Sequence, residues 1–389
     1  MIGFVAATLL AAVQLPAIHT DGLNLKDSSG HTVQLKGVNL GGWLVEEPWM
    51  TPIVSEPPAG SSEPKVTDHR AIWGLVEKRL GHDSMVRVRD AWRDNWITKT
   101  DFDRIKAAGF NHVRIPFLVS LLDEPNGLAR LHWAVDTAAA DGLYTVLDMH
   151  GAPGGQSDEA HNGLGKSNRL WFDVDNIIKM ENAWIRLAKE FKTSNAAMFD
   201  LMNEPMGAPN PAMLMLVYDR VIRAIRTVDP NKVLLVEDGY KGFDTTVHPN
   251  LANWTNVCYS LHFYNFDAKK TEDHITALDK DVPKLKDLQG YRQTPLYIGE
   301  FNLEPFAGPE VTHQFVGRLN AAGWSWAIWT WKACPVSGTL GQWGIERRPS
   351  LAPALNPYTD SADEMIQKAK AFRTENFEPI PGLLDALTG

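Results

Sequence analysis

"AAMFDLMNEP", residues 196–205, decides how this chain is read. An apolar run broken by one aspartate closes on an asparagine, a glutamate and a proline. A run of this kind, too apolar to face water, is a strand covered on both faces, as in parallel sheets packed under helices. A carboxylate is costly to bury without a partner. Glu204, arriving as the strand ends, therefore calls for a partner and a pocket from the rest of the chain.

Working outward, similar runs recur along the 389 residues. They are 34–41, 112–117, 143–150, 233–238, 258–264, 295–302 and 324–332, which with 196–204 make eight. Helix-period segments lie between them, at 100–109, 131–142, 182–192, 211–228 and 309–323, several ending in glycine. Thr100, ahead of Asp101 and Asp103, is the expected N-cap of the first. Eight alternating units predict an α/β protein, a (β/α)₈ barrel with long loops after its strands. The alternative, an open doubly wound sheet, lacks a glycine-rich dinucleotide turn after its first strand. Residues 19–37 alternate polar and apolar around "KDSSGH" and predict an N-terminal β-hairpin. The Pro- and Ser-rich stretch 51–66 is expected to be a surface loop over one barrel end.

Composition narrows the function. Net charge is −9 with no basic run, which argues against a nucleic-acid partner. Fourteen tryptophans are more than an average core requires, and spare aromatic faces stack on planar or sugar-like ligands. Residues 1–17 form an apolar run ending in a small residue, expected to be a signal peptide that makes the protein secreted or periplasmic. Residues 18–389 then form a single catalytic domain. No other stretch is apolar enough to span a membrane. Cys258 and Cys334 fall at opposite barrel ends and are expected to be free thiols.

In such a barrel, chemistry sits at the C-terminal ends of the strands. Arg114, His150, Asn203, Glu204, His262, Tyr264, Glu300, Trp329 and Trp331 all fall there. Glu204 and Glu300 end strands four and seven, which face each other across the barrel. Two carboxyls over a polar pocket suit glycosidic cleavage, one as proton donor and the other as nucleophile or base. Because neighbouring carboxylates resist double ionisation, the charge on Glu300 is expected to keep Glu204 protonated. A metal site built on His150, His262 and the glutamates is the rival reading, but HExxH and His-x-His patterns are missing.

"GVNLGGWLVEEPWMTP" (37–52), "VRIPF" (113–117), "DMHGAPGGQ" (148–156), "LMNEP" (201–205), "LHFYNF" (261–266), "IGEFN" (298–302) and "WTWK" (329–332) occur in that order. Together they resemble glycoside hydrolase family 5, the retaining (β/α)₈ β-glycosidases. The resemblance implies Glu204 as acid/base, Glu300 as nucleophile and Asn203 as partner of the sugar 2-hydroxyl. It also implies Arg114 and Tyr264 as supports of the nucleophile, His150 and His262 as pocket histidines, and Trp331 as the aromatic floor beside Trp329. No cofactor or metal is implied. The likeness is greatest to the exo-β-1,3-glucanase branch, where the position of Glu47 binds the terminal glucose. That branch carries an aspartate in an Asn/Gly-rich loop after "HGAPGGQ". Here the loop reads "SDEAHNGLGKSNRLW", with Asp158 or Glu159 as substitutes. The expectation is a monomeric β-glucan hydrolase that releases glucose. An endo-β-1,4-glucanase or another family 5 β-glycanase remains the alternative. Outside that family stand a non-catalytic carbohydrate-binding barrel and a phosphate-handling barrel enzyme.

Overall fold

A computed structural model describes residues 15–195, 197–336, 343–350 and 352–389. Its centre is a closed barrel of eight parallel strands, in keeping with the sequence. They are β1 (Lys36–Asn39), β2 (His112–Leu118), β3 (Tyr144–Gly151), β4 (Ala197–Asp200), β5 (Leu234–Glu237), β6 (Val257–Tyr264), β7 (Leu296–Asn302) and β8 (Ser325–Ile328). Each pairs with its sequence neighbour, and β8 closes on β1. The first fourteen residues of the expected leader lie outside the described residues. Leu15 and Pro16 lie against the barrel, through Asn195 Nδ2 to Leu15 O (2.9 Å) and Tyr144 Oη to Pro16 O (2.9 Å).

Alternation along each strand sorts its side chains between the barrel interior and the helix layer. On β2, Val113, Ile115 and Phe117 pack outward into the large apolar cluster shared with the helices, while His112 and Arg114 point inward. The helices answer in kind. Val174–Glu190 buries Ile177, Met180, Trp184, Leu187 and Ala188 along one stripe. The lower mouth is closed by a three-stranded antiparallel sheet, Ile18–Asp21, Asn24–Asp27 and Thr32–Val33, which extends the expected hairpin. Its Ile18 and Leu25 join Leu35, Val146, Met198, Leu235, Cys258, Tyr297 and Ala327 in an apolar plug.

Two register shifts occur near the upper rim. Between β2 and β3, Phe117 faces Met149 but Leu118 faces Gly151, so His150 is the extra residue. Between β6 and β7, Leu261 faces Ile298 but His262 faces Glu300, so Gly299 is the extra residue. A β-bulge re-aims the side chains beyond it. Tyr297 points into the barrel and Ile298 outward; unbroken alternation would then send Glu300 outward and Phe301 in. The bulge reverses both, so that Glu300 meets Arg114 inside and Phe301 joins the outer core. Only glycine fits the extra position, because a Cβ there would stand 2.7 Å from Ser260 Oγ and 2.9 Å from His262 Nε2. Asn39 Nδ2 holds the bulge by donating to Gly299 O at 2.9 Å.

One cap needs correction, and one connection holds more than was expected. The helix Lys99–Ala107 is capped by Thr98, not Thr100, because Asp101 stands three residues after Thr98 and closes a capping box. Thr100 lies inside the helix and donates to Glu375 at 3.0 Å. The connection from β1 to β2 contains two unforeseen helices, His69–Leu80 and His82–Trp96. Residues 51–66 run beside the C-terminal segment, with Ile53 bridging Leu355 and Val66 N donating to Tyr358 Oη. Cys258 and Cys334 are free thiols, the first buried in the lower plug.

Candidate active site

The strand ends meet in a pocket of about 590 Å³, within the ~300–1,000 Å³ usual for small-ligand sites. Its wall includes Glu47, Trp49, His150, Asn203, Glu204, Tyr264, Glu300 and Trp329, together with Glu159, His161, Met206, Tyr240, Phe266 and Trp343. Among the described residues no lysine or arginine lines it. That disfavours a phosphate ligand.

Beneath the floor lies Arg114, fully buried and ringed by acceptors. Its Nε donates to Asp200 (3.0 Å), Nη1 to Asn39 (3.0 Å) and Glu300 (2.7 Å), and Nη2 to Asn203 (2.8 Å). The guanidinium fork thus fixes a carboxylate and an amide from two strands at once. Tyr264 Oη donates to the other oxygen of Glu300 at 2.7 Å. Burial and the charges of Glu300 and Glu204 push the Tyr264 hydroxyl well up, so it stays a donor. Glu300 is held at both oxygens and aimed at the pocket.

Glu204 reaches the same space from β4's end. One carboxylate oxygen of each glutamate and a nitrogen of His262 lie within 4.8 Å of one another. His262 Nδ1 is 2.8 Å from Glu204 Oε1, Tyr240 Oη donates to the same oxygen at 2.8 Å, and His161 Nδ1 lies 3.3 Å from Oε2. Burial alone would raise the Glu204 pKa, but His262's hydrogen bond, with the charges of His161 and His262, pulls it well below the usual range. The expected protonation of Glu204 by repulsion from Glu300 is therefore overturned, because His262 stands beside it. Burial would lower the pKa of His262, yet the charges of Glu237 and Glu300 and its bond to Glu204 raise it well above the ordinary value. Glu204, His262 and Glu300 could geometrically surround a cation, but an imidazolium has no lone pair for one.

His150 stays neutral, since burial drives its pKa down to about 3. Its Nδ1 lies 2.6 Å from Asp148 Oδ2, which fixes the tautomer and turns a lone pair on Nε2 toward Asn203 Nδ2 at 3.4 Å. The ring lies parallel to Trp329, with centroids 5.4 Å apart. Gln156 ties the loop beneath them by donating to His150 O and Asn203 O, both at 2.8 Å. Glu47 takes a hydrogen bond from Trp49 Nε1 at 2.9 Å, and burial followed by the charges of Glu300 and Glu204 lifts its pKa to about 7. Its neighbour Glu46 turns the other way, to Trp73 at 2.9 Å and to His69, so the inserted helix His69–Leu80 anchors this turn.

Every expected site residue except Trp331 is on this wall or directly under it. Trp331 is fully buried and donates from Nε1 to Asp101 at 2.8 Å, away from the pocket. Strand β8 ends at Ile328, so alternation no longer governs residue 331, and the aromatic floor is Trp329. Glu159 lines the pocket and Asp158 does not, while residues 51–66 take no part in the wall. Sequence reasoning missed His161, Tyr240 and Glu237. The last had a signal, for "VLLVED" closes on carboxylates much as β4 does. Tyr264, Phe266, Trp343 and Trp49 form a row of touching rings at the mouth.

Comparison with known proteins agrees with this geometry. The family model described as Cellulase (glycosyl hydrolase family 5) matches residues 78–335. A probable glucan 1,3-beta-glucosidase A of Aspergillus clavatus is 31% identical over 77% of this chain and 74% of its own length. Among solved structures, rutinosidase from Aspergillus niger superposes with a TM-score of 0.61 at 17% identity, covering 77% of this chain and 90% of that one. An endoglucanase from Thermotoga maritima gives 0.57 at 19% identity, covering 91% and 96%. These two likenesses show the barrel fold.

Proposed function

The chain belongs to glycosyl hydrolase family 5, and we propose that it is an exo-acting β-1,3-glucanase that releases glucose from chain ends. Family membership makes it a retaining O-glycosyl hydrolase. The observation carrying the residue roles is the approach of Glu204 and Glu300 within 4.8 Å. Retaining pairs stand about 5 to 5.5 Å apart, whereas inverting pairs need roughly 6.5 to 9.5 Å for a water between them.

Glu300, ionised and aligned by Arg114 and Tyr264, attacks the anomeric carbon. Glu204 protonates the departing oxygen. Its proton is shared with His262 Nδ1, 2.8 Å away, so the two side chains act as one acid. After the glycosyl-enzyme forms, Glu204 returns as base toward water. Asn203, placed by Arg114, meets the 2-hydroxyl, and Trp329 underlies the ring. Glu47 accepts hydrogen bonds from hydroxyls that are free only on a terminal glucose. The name of the Aspergillus clavatus relative supports the β-1,3 preference. The proposal includes a secreted or periplasmic enzyme, from the apolar character of residues 1–17, acting as a monomer.

Time-resolved product analysis on laminarin, lichenan, carboxymethyl-cellulose and mannan tests this reading. Glucose is expected as the first product, from laminarin above all, with its anomeric carbon still β by proton NMR. Early mixed oligosaccharides would overturn the exo mode, and an α-anomer would overturn the roles of both glutamates.

A further inference from the structure

Glu204 occupies an unusual backbone position, with φ of +40° on a residue that is not glycine. L side chains adopt that conformation only when their surroundings hold them there. The turn is tight, with Met206 N donating to Glu204 O at 2.6 Å. Among the described residues the Glu204 amide has a single acceptor, Glu237 Oε2, at 2.7 Å. The other oxygen of Glu237 lies 3.3 Å from His262 Nε2 and 3.4 Å from Arg114 Nη2. His262 bonds the Glu204 carboxylate through its opposite nitrogen. Glu237 therefore touches residue 204 at both ends, the backbone directly and the carboxylate through an imidazole. It is buried and takes no part in the pocket wall.

We propose that Glu237, at the end of β5, is a positioning residue for proton transfer by Glu204. It holds the turn that aims the acid, and it faces the Nε2 edge of His262 so that Nδ1 stays turned toward Glu204. Arg114, Asp200 and the Tyr218 hydroxyl are the other polar groups around it. None of them reaches the Glu204 amide. The inference rests on the acid/base reading of Glu204.

Two variants break the two contacts. Glu237→Gln keeps an oxygen for the Glu204 amide but replaces the acceptor facing His262 and Arg114 with an amide donor, and Glu237→Asp keeps the carboxyl but withdraws it by one methylene. Each is assayed as kcat/KM on aryl β-glucosides ranging from dinitrophenyl to phenyl, and on short laminari-oligosaccharides, with thermal unfolding alongside. A dinitrophenolate leaves without a proton, so that substrate should stay within about threefold of the parent. Phenyl and oligosaccharide substrates should lose roughly 30- to 100-fold in both variants, a size typical of impaired general acid catalysis. A loss that is equal on all leaving groups, no loss on any, or failure of both variants to fold would overturn the proposal. If instead Glu204→Ala shows the parent's own dependence on leaving group, the acid role of Glu204 falls, whatever Glu237 does.

Discussion

The lower and upper halves of the barrel interior are built by the same eight strands, yet they are different media. In the lower half the filling is an apolar cluster that includes Val146, Met198, Leu235, Cys258, Tyr297 and Ala327. Above it stand Arg114, Asp148, Asp200, Glu237, His262 and Glu300, nearly all out of contact with water. The lower half gains stability from apolar area, at roughly 25 cal/mol per Å². The upper half cannot. Two cations, Arg114 and His262, face Asp148, Asp200, Glu237 and Glu300, and the shortfall is met by protons. Burial lifts Asp148 to about 7 and Glu237 to about 8, against the opposing pull of Arg114 and His262. One half is insulated from pH and from substitution of charge, while the other trades stability for reactivity.

The widest separation between the halves should come from Glu300→Ala. Turnover should fall about 10⁴-fold or more on every substrate, since no group replaces the nucleophile. Its unfolding temperature should hold or rise, because one carboxylate leaves a layer that has too many. A clear drop in unfolding temperature would show that the upper half stabilises after all. Leu235→Ala is the mirror experiment. It should cost about 2 to 5 kcal/mol in denaturant unfolding and leave kcat/KM at 25 °C unchanged; altered kinetics would show the plug and the pocket to be coupled.

Within the upper half, Glu47→Ala should raise the barrier measured by kcat/KM on laminarin by about 2 to 3 kcal/mol, the range for hydrogen bonds to a charged group. The variant's activity on aryl glucosides shows whether those bonds are to the terminal glucose, since the same loss is expected there. An effect confined to long chains would place Glu47 at a more distant sugar. The smallest effect is the pH response. Asp148, Glu237 and Glu47 bind protons more tightly when folded than unfolded, so their stabilisation is lost as pH rises through about 7 to 8. His112 and His150, lowered by burial to about 3, work in the opposite sense, but only below pH 6.5. Between pH 6.5 and 8 stability should therefore fall, and His262, held above its ordinary value by its carboxylate neighbours, adds to the fall. Thermal unfolding of Leu235→Ala should show the same slope as the parent, and Asp148→Asn a shallower one.

How much of this could be read from residues alone follows the same division. All eight strands were legible because apolar runs between helix-period segments are a local signal. Site residues inside or just after a strand were legible too, because the barrel places strand ends together. Trp331 was misplaced because its indole turns to Asp101 on the helix Lys99–Ala107, a long-range partner that no strand-end rule foresees. Tyr240 and His161 reach Glu204 from loops, and nothing in a loop sequence says where a side chain will point. The helices between Asp68 and Ile97 were hidden in a connection whose Pro- and Ser-rich opening suggested only loop. The Thr98 cap depended on the spacing to Asp101, which Thr100 obscured.

The extra residue at Gly299 has a further implication for anyone rewriting this strand. Strand β7 carries two side-chain phases, one counted from Tyr297 and another from Glu300, as a message does on either side of a frameshift. A substitution table made for the lower phase misassigns inside and outside for the upper one. Deleting Gly299 would put the strand into a single phase. Glu300 would still face inward and Phe301 outward in that phase; it is regular pairing with Gly299 retained that would turn the nucleophile to the greasy belt under the helices and Phe301 into the sugar pocket.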